Sequence, residues 1–172
     1  SVIFFPWLAK SIIFVLALIL GGMLAAVAGL VVGIPSLRLK GDYLAIATLG
    51  FGEIIRVMIL NIDAVGGARG FADIPGYTNL FWVLFFVILT IIVVRNLVHS
   101  THGRAFLSVR EDEVAAEAMG INTTYYKVYA FVIGAFFAGI AGGLFGHYLM
   151  YLHTNSFTFM RSIEVIIMVV LG

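Results

Sequence analysis

The feature that most constrains this chain is the run of residues 11–37, which contains no charged side chain over 27 positions. About 20 apolar residues in helical conformation cross the hydrocarbon core of a bilayer, so this run predicts a membrane-spanning helix. The composition agrees, because 62% of the 172 residues are hydrophobic and only 11% are charged. Soluble domains carry about a quarter charged residues, and the composition therefore excludes an ordinary soluble protein.

Charge and residue content exclude several functional classes. A net charge of +1 argues against a strongly basic nucleic-acid-binding protein. The sequence contains no cysteine, which removes disulfides, thiolate metal sites and cysteine nucleophiles together. It also contains no P-loop string, so the chain has no ATP-binding motif of that kind. We expect no cofactor, no metal and no enzymatic activity in this chain.

The remaining apolar segments predict an all-α, polytopic transmembrane helix bundle with about five spans. Pro35 and a polar link over residues 36–42, which includes Arg38, Lys40 and Asp42, end the first span. Glycine and proline mark residues 61–79 as a loop. The later spans are predicted at residues 43–60, 80–98 and 125–152, with a fifth beginning near 161.

The distribution of lysine and arginine predicts the orientation of the spans. If the polar stretch 99–127 is cytoplasmic, the cytoplasmic flanks hold six basic residues and the outer flanks hold three. The glycine-rich loop 61–79 is then predicted outside. The six are Arg38, Lys40, Arg95, Arg104, Arg110 and Lys127, and the three are Lys10, Arg69 and Arg161.

Rows of small residues recur at every fourth position in two of the spans. Residues four apart lie on one helix face, and in lipid such smooth faces allow the close backbone approach that holds helices together. The rows predict tight packing within a bundle, and a seam that slides during transport is the alternative. The rows are Gly21, Ala25, Gly29 and Gly33, then Gly134, Ala138, Gly142 and Gly146, with Ala135, Gly139 and Gly143 as a neighbouring row.

Charged residues also occur inside predicted spans. Glu53 and Arg56 are three positions apart on one helical face, and Glu164 follows Arg161 at the same spacing. Ionised groups at membrane depth are costly, so we expect them to pair. They are either local ion pairs near helix ends or groups that face a translocation path or a partner subunit.

The polar stretch predicts a short cytoplasmic helix over residues 108–120. Ser108 and Glu111 fit a capping box, and acidic residues follow in the predicted first turn. Gly120 fits the residue that ends the helix, and Asn122, Thr123 or Thr124 can cap the next span. Because lipid-resting helices are usually basic, this acidic helix of about eleven residues favours docking to a cytoplasmic protein.

Several long strings closely resemble the LivM-type permease subunits of branched-chain amino acid ABC importers. The resemblance covers nearly the whole chain from Gly29 onward. It rests on RLKGDYLAIATLGFGEIIR at 38–56, GRA at 103–105, REDEVAAEAMGIN at 110–122, AFVIGAFFAGIAGG at 130–143, SFTF at 156–159, and SIEV and VLG within 162–172.

The resemblance implies a transport subunit in the cytoplasmic membrane of a bacterium or archaeon. The chain lacks an initiator Met and ends in an apolar run, so we expect residues 1–172 to be a partial permease domain with both termini missing. The implied partners are a LivH-type second permease, two cytoplasmic ABC ATPase subunits, a periplasmic or extracellular substrate-binding protein and the lipid bilayer, with no nucleic acid.

The same resemblance implies a role for the short cytoplasmic helix. It looks like the coupling helix of ABC importers, whose motif is E-A-A-x-x-x-G. Ala115, Ala116 and Gly120 match that motif, whereas Val114 stands at the Glu position and Glu113 comes one residue early. The expected ATPase-coupling residues are Arg110, Glu111, Asp112, Glu113, Ala115, Ala116, Glu117 and Gly120.

Three alternatives stay open at the level of sequence. A related importer could carry a sugar, urea or an amide, although the spans offer few polar groups beyond Thr48, Glu53 and Thr90. An ion-driven secondary transporter would use ionisable groups at mid-membrane and would need no ATPase-docking helix. A structural scaffold without transport is the third alternative.

Overall fold

A computed structural model describes residues 4–39 and 41–172, with the side chains of residues 4–9, 42, 64, 68 and 155 outside that description. Lys40 of the predicted 36–42 link thus lies outside the described residues. Within the described residues the regular secondary structure is helical, with one isolated β-bridge and no strand, which confirms the all-α prediction. The helices are α1 (Phe4–Ser36), α2 (Asp42–Leu60), α3 (Leu80–Val98), α4 (Thr101–Glu111), α5 (Glu113–Ala118), α6 (Thr123–Leu149) and α7 (Phe159–Leu171), with 3-10 turns at Asp63–Val65, Gly67–Arg69 and Thr154–Phe157.

Four of these helices, α1, α2, α3 and α6, are long and apolar enough to cross a membrane. The chain is therefore a multi-pass membrane protein. The remaining predicted span, from residue 161, corresponds to the 13-residue helix α7. Helix α6 ends at Leu149 rather than at 152, because Met150 adopts a left-handed φ of 56° that stops the helix.

The chain divides into two compact units, and the first comprises Ser1–Arg38 and Tyr77–Phe145. Its core joins α1, α3 and α6 through apolar side chains and a T-shaped contact between Phe14 and Trp82, whose ring centroids are 5.6 Å apart. The Thr78 hydroxyl donates to the Leu144 carbonyl at 2.9 Å and fixes the start of α3 against α6. The buried core residues are Phe14, Leu18, Phe86, Ile140 and Leu144.

Helices α1 and α6 pack along a seam of small residues. A Cβ built on Gly139 would lie 2.6 Å from the Cβ of Ala25, and one on Gly29 would lie 2.8 Å from that of Ala135. These distances leave no space for a larger side chain. Within α6, the neighbouring row of Ala135, Gly139 and Gly143 faces α1. The other predicted small-residue positions lie away from this seam. A Cβ built on Gly21, Gly134 or Gly142 would meet no described atom within 4 Å. Ala138 is exposed, and a Cβ on Gly146 would contact the Leu152 side chain.

The predicted single helix over 108–120 is wrong, because the structure divides this stretch between α4 and α5. Ser108 lies inside α4, where its hydroxyl donates to the Arg104 carbonyl at 2.9 Å instead of capping a helix. Asp112 adopts an extended φ of −153° and separates the two helices. The capping-box string therefore falls within a helix that already begins at Thr101.

The second unit comprises Leu39–Gly76 and Gly146–Gly172. In this unit the segment after α2 is tied to the segment after α6. Phe71 and Leu152 exchange backbone hydrogen bonds of 2.7 and 2.9 Å, and the Tyr151 hydroxyl donates to the Arg69 carbonyl at 2.9 Å. Gly70 has a φ of 79°, and a Cβ there would lie 2.7 Å from the Leu152 carbonyl oxygen. The loop is therefore held in one conformation by contacts that need glycine at this position.

Candidate functional site

The candidate site is the polar segment that links α3 to α6, and it begins at a tight turn between α3 and α4. Ser100 caps α4, and its hydroxyl accepts a hydrogen bond from the Gly103 amide at 3.2 Å. Gly103 is buried, and a Cβ there would lie 1.8 Å from the Val98 carbonyl oxygen. Glycine at position 103 therefore allows α4 to fold back against the end of α3.

Helix α5 begins at a side-chain cap. The Asp112 Oδ1 accepts hydrogen bonds from the Val114 and Ala115 amides at 2.9 and 3.1 Å. An acidic cap also interacts favourably with the positive end of the helix dipole. Just before the break, Arg110 pairs with Glu111 at the exposed end of α4.

Helix α5 ends in a Schellman motif around Gly120. The Ile121 amide donates to the Ala116 carbonyl at 3.0 Å, and the Gly120 amide donates to the Glu117 carbonyl at 2.9 Å. Gly120 has a φ of 81°, as this motif requires. Asn122 then caps α6 by accepting from the Tyr125 amide at 3.0 Å. Both ends of this six-residue helix are thus fixed by hydrogen bonds.

Two acidic residues of α5 tie it to the start of α6. Glu113 forms an ion pair with Lys127, with Oε1 and Nζ 2.5 Å apart and both side chains about a quarter exposed. Glu117 accepts a hydrogen bond from the Thr123 hydroxyl at 2.7 Å, and Thr123 is buried. Ala116 is also buried on this inner side. Helix α5 is therefore tied by side-chain contacts to the first turns of α6.

The outer side of α5 carries apolar side chains without cover in the described part of the chain. Val114 is 71% exposed and Met119 is 83% exposed, and Ala115 is exposed between them. A groove of about 490 Å³ runs beside α5 and α4, lined by Leu107, Ala115, Met119 and Ile121 with Glu111 and Asp112 at its polar side. Small apolar knobs and charges around a groove are typical of an interaction surface.

The charged residues predicted inside spans lie beside each other as close pairs. The Arg56 Nη1 is 2.9 Å from the Glu53 Oε1 in α2, and the Arg161 Nη1 is 2.9 Å from the Glu164 Oε2 in α7. In the second unit, Arg56 also lines an open cavity of about 590 Å³. Pairing lowers the cost of holding such groups at membrane depth.

Several features of this site have no local sequence signal. The Glu113–Lys127 pair joins residues 14 positions apart, and the Glu117–Thr123 bond crosses a turn. The cavity beside Arg56 combines three separate segments of the chain. The aromatic residues at 125, 126 and 129 could have predicted a contact between the start of α6 and α4, since Tyr126 and Tyr129 both contact the Phe106 ring.

The family model described as branched-chain amino acid transport system, permease component, matches residues 2–172. The chain belongs to this family. Permeases of this kind are transport components rather than enzymes.

The chain is similar to curated proteins whose names also describe branched-chain amino acid transport permeases. It is 38% identical over 188 aligned positions to the "High-affinity branched-chain amino acid transport system permease protein LivM" of Salmonella typhimurium, covering 89% of this chain and 44% of that protein. Identity to the same-named protein of Escherichia coli is 37%, with the same coverage. A "Probable branched-chain amino acid transport permease protein LivM" of Methanocaldococcus jannaschii is 29% identical, over 85% of this chain and 46% of its own length.

The chain thus spans less than half the length of the curated relatives it matches. No solved structure matches it.

Proposed function

We propose that this chain forms part of the membrane-spanning permease subunit of an ATP-driven importer for branched-chain amino acids. The family match over residues 2–172 carries the proposal, and the names of the relatives support branched-chain amino acids as the cargo. An importer of this type places the chain in the cytoplasmic membrane of a bacterium or archaeon. The chain itself performs no covalent chemistry, and ATP hydrolysis belongs to partner subunits.

The partners follow from the same proposal. A LivH-type second permease completes the membrane path, and two cytoplasmic ABC ATPases supply the energy. A periplasmic or extracellular substrate-binding protein delivers the amino acid to the outer face, where the 61–79 loop is its contact on this chain. The hydrogen bonds between Phe71 and Leu152 support that role, because they present the loop as a pre-formed surface.

Helix α5 is the proposed docking element for one ATPase. The exposed Val114 and Met119 side chains supply apolar contact, and the charges of Arg110, Glu111 and Asp112 set the register against the partner. The ties of Glu113 and Glu117 to the start of α6 supply a mechanical path to a span. Closure of the ATPases would then displace α5 and α6 together and change access to the substrate.

The small-residue seam and the charged pairs are assigned to the same transport cycle. In our proposal Gly29, Ala25 and Gly139 hold α1 and α6 together as one body, so that force on α6 reaches α1. Glu53, Arg56 and Glu164 belong to the path or to the contact with the second permease. A Cβ built on Gly21, Gly134 or Gly142 would meet no described atom within 4 Å, and in our proposal this open side of α1 and α6 contacts that partner.

Co-purification of the ATPases tests the docking proposal. The full-length parent protein is expressed with its partners, and Val114→Asp or Met119→Asp is introduced on α5. Burying a charge in an apolar contact is costly, so we expect recovery of the ATPases to fall about tenfold or more. Met160→Asp is the matched control, because Met160 is 63% exposed and lies on the predicted outer side.

The second permease is followed in the same preparations to confirm that the membrane complex is intact. Equal recovery of the ATPases with Met119→Asp and Met160→Asp would contradict docking at α5. Loss of the second permease together with the ATPases would assign α5 to the folding of the complex instead.

A further inference from the structure

The second unit contains an open cavity of about 590 Å³ at the carboxyl end of α2. Small-molecule sites commonly have volumes of about 300–1,000 Å³ and mostly apolar walls with a few polar groups. Three segments contribute to this cavity: α2, the loop after it, and the segment after α6. The predicted orientation places the carboxyl end of α2 toward the outer side of the membrane, where substrate arrives.

The walls of the cavity are apolar and held in place. Ile55 and Ile59 of α2 face Phe71 and Phe157 around the space. The two hydrogen bonds between Phe71 and Leu152 join the loop wall to the segment after α6. A branched aliphatic side chain would therefore enter a space whose walls are already formed, which lowers the entropic cost of binding.

Arg56 brings a positive charge to these apolar walls. Among the described residues that line the cavity, Arg56 is the one whose side chain carries a formal charge. A guanidinium carries five N–H donors in a planar fork that matches a carboxylate. Glu53 accepts a hydrogen bond from the Arg56 Nη1 at 2.9 Å and helps to fix the position of the arginine. A cation within a span is costly and marks a substrate path by default.

We infer that this cavity is a substrate subsite for a branched-chain α-amino acid on the outer side of the permease, which rests on the proposed function. The Arg56 guanidinium binds the substrate carboxylate, and Ile55, Ile59, Phe71 and Phe157 surround the aliphatic side chain. Glu53 is a positioning residue that holds Arg56 in place.

Gly52 supplies the most selective test, because it lines the cavity and a Cβ there meets no described atom within 4 Å. A side chain at this position therefore starts at the cavity wall with no clash at its Cβ, and we expect a leucine there to reduce the space in the cavity. Gly50 is the matched control, since it lies in the same helix, has the same open surroundings and is not among the described lining residues. The two variants Gly52→Leu and Gly50→Leu thus differ in whether they occupy the cavity.

The experiment uses the complete full-length importer in proteoliposomes with ATP inside and leucine-loaded binding protein outside. Uptake of radiolabelled leucine and ATPase activity stimulated by the binding protein are measured together. We expect Gly52→Leu to lower leucine uptake per ATP about tenfold, a discrimination typical of a pocket that loses a few methylene groups of space. Gly50→Leu should stay within about twofold of the unmodified protein.

Arg56 provides an independent readout that does not depend on filling the cavity. We expect Arg56→Gln to lower leucine uptake per ATP about tenfold or more, because the carboxylate loses its charged partner. Arg56→Lys keeps the charge and should recover part of the uptake. Folding is checked by co-purification of the second permease with each variant.

The outcomes separate this inference from the proposed function. If the unmodified importer takes up leucine and Gly52→Leu behaves like Gly50→Leu, the subsite is refuted while the importer stands. A parallel fall of uptake and stimulated ATPase activity in Gly52→Leu and Arg56→Gln would also overturn the subsite, because coupling would then be the affected step. If the unmodified importer moves no branched-chain amino acid, the proposed function itself fails.

Discussion

Gly120 illustrates how one backbone conformation controls the candidate docking element. Its φ of 81° lies in the left-handed region, and a Cβ there would meet no described atom within 4 Å. The constraint is therefore backbone conformation and not space. Left-handed φ costs about 1–2 kcal/mol for residues with a Cβ and more for branched ones, whereas asparagine tolerates it best.

Substitution at Gly120 tests that constraint. We expect Gly120→Val to destabilise the Schellman turn by about 2 kcal/mol and to raise hydrogen exchange at the Ile121 amide, while Gly120→Asn leaves exchange close to normal. Hydrogen-exchange mass spectrometry on the complete importer measures both. Equal exchange in the valine and asparagine variants would contradict a conformational role for Gly120.

The sequence identified some residues of this site and missed others for physical reasons. Gly120 and Asn122 have strong local preferences at helix ends, and the structure uses them as predicted. Ser108 was misplaced because a capping-box string is only a signal if a helix begins there, and α4 already begins at Thr101. Aspartate also has a strong preference for the N-cap position, and Asp112 caps α5. This signal was missed because Asp112 lies within a run of acidic residues that was interpreted as the first turn of a helix.

Helix α5 has six residues, so its stability must come from its ties to α6 and not from its own length. The Glu113–Lys127 pair is the most direct of these ties. We expect a double-mutant cycle of Glu113→Gln and Lys127→Met to give a coupling free energy of about 1 kcal/mol in the stability of the α5 segment. The rate of proteolytic cleavage near residue 112 in the purified importer would measure the free energy of opening of the α5 segment.

A charge swap provides the control for that cycle. Glu113→Lys with Lys127→Glu restores opposite charges and should regain part of the protection lost in each single reversal. Additive effects of the two single substitutions, with no recovery in the swap, would show that the pair does not hold α5 on α6.

The seam between α1 and α6 allows a second comparison between neighbouring elements. Gly139 lies against Ala25 with no space for a Cβ, whereas Gly50 in α2 has open surroundings. We expect Gly139→Leu to destabilise the protein by about 1–3 kcal/mol or more through overpacking, and Gly50→Leu to leave stability nearly unchanged. Thermal unfolding of the complex in detergent measures the difference, and similar melting temperatures for both variants would refute the seam.

The existence and type of the helices could be predicted, because long apolar runs and glycine-rich breaks are strong signals. Helices α2 and α3 begin and end within a residue of the predicted limits. The face of α6 that meets α1 could not be chosen, since its two small-residue rows are adjacent and equally smooth. Contact with α1 selects the row of Gly139, and that contact is not encoded by spacing alone.

Docking of an ATPase at α5 requires that α5 lie on the cytoplasmic side of the membrane and the 61–79 loop on the outer side. The absence of cysteine from the chain makes single introduced cysteines direct reporters of sidedness. Ala72→Cys lies in the exposed loop after α2, and Ala118→Cys lies at the exposed end of α5. We expect a membrane-impermeant maleimide to label the Ala72→Cys variant in intact cells. The same reagent should label the Ala118→Cys variant only after the cells are permeabilised. The reversed pattern would invert the topology and remove α5 from the ATPase side.

ATP-dependent uptake of radiolabelled leucine by proteoliposomes tests the proposed transport directly; the vesicles contain the full-length permease with its partner permease, ATPases and binding protein. We expect accumulation to require ATP inside the vesicle and to continue after ionophores collapse all ion gradients. Accumulation that follows an imposed ion gradient and persists without ATP would contradict it.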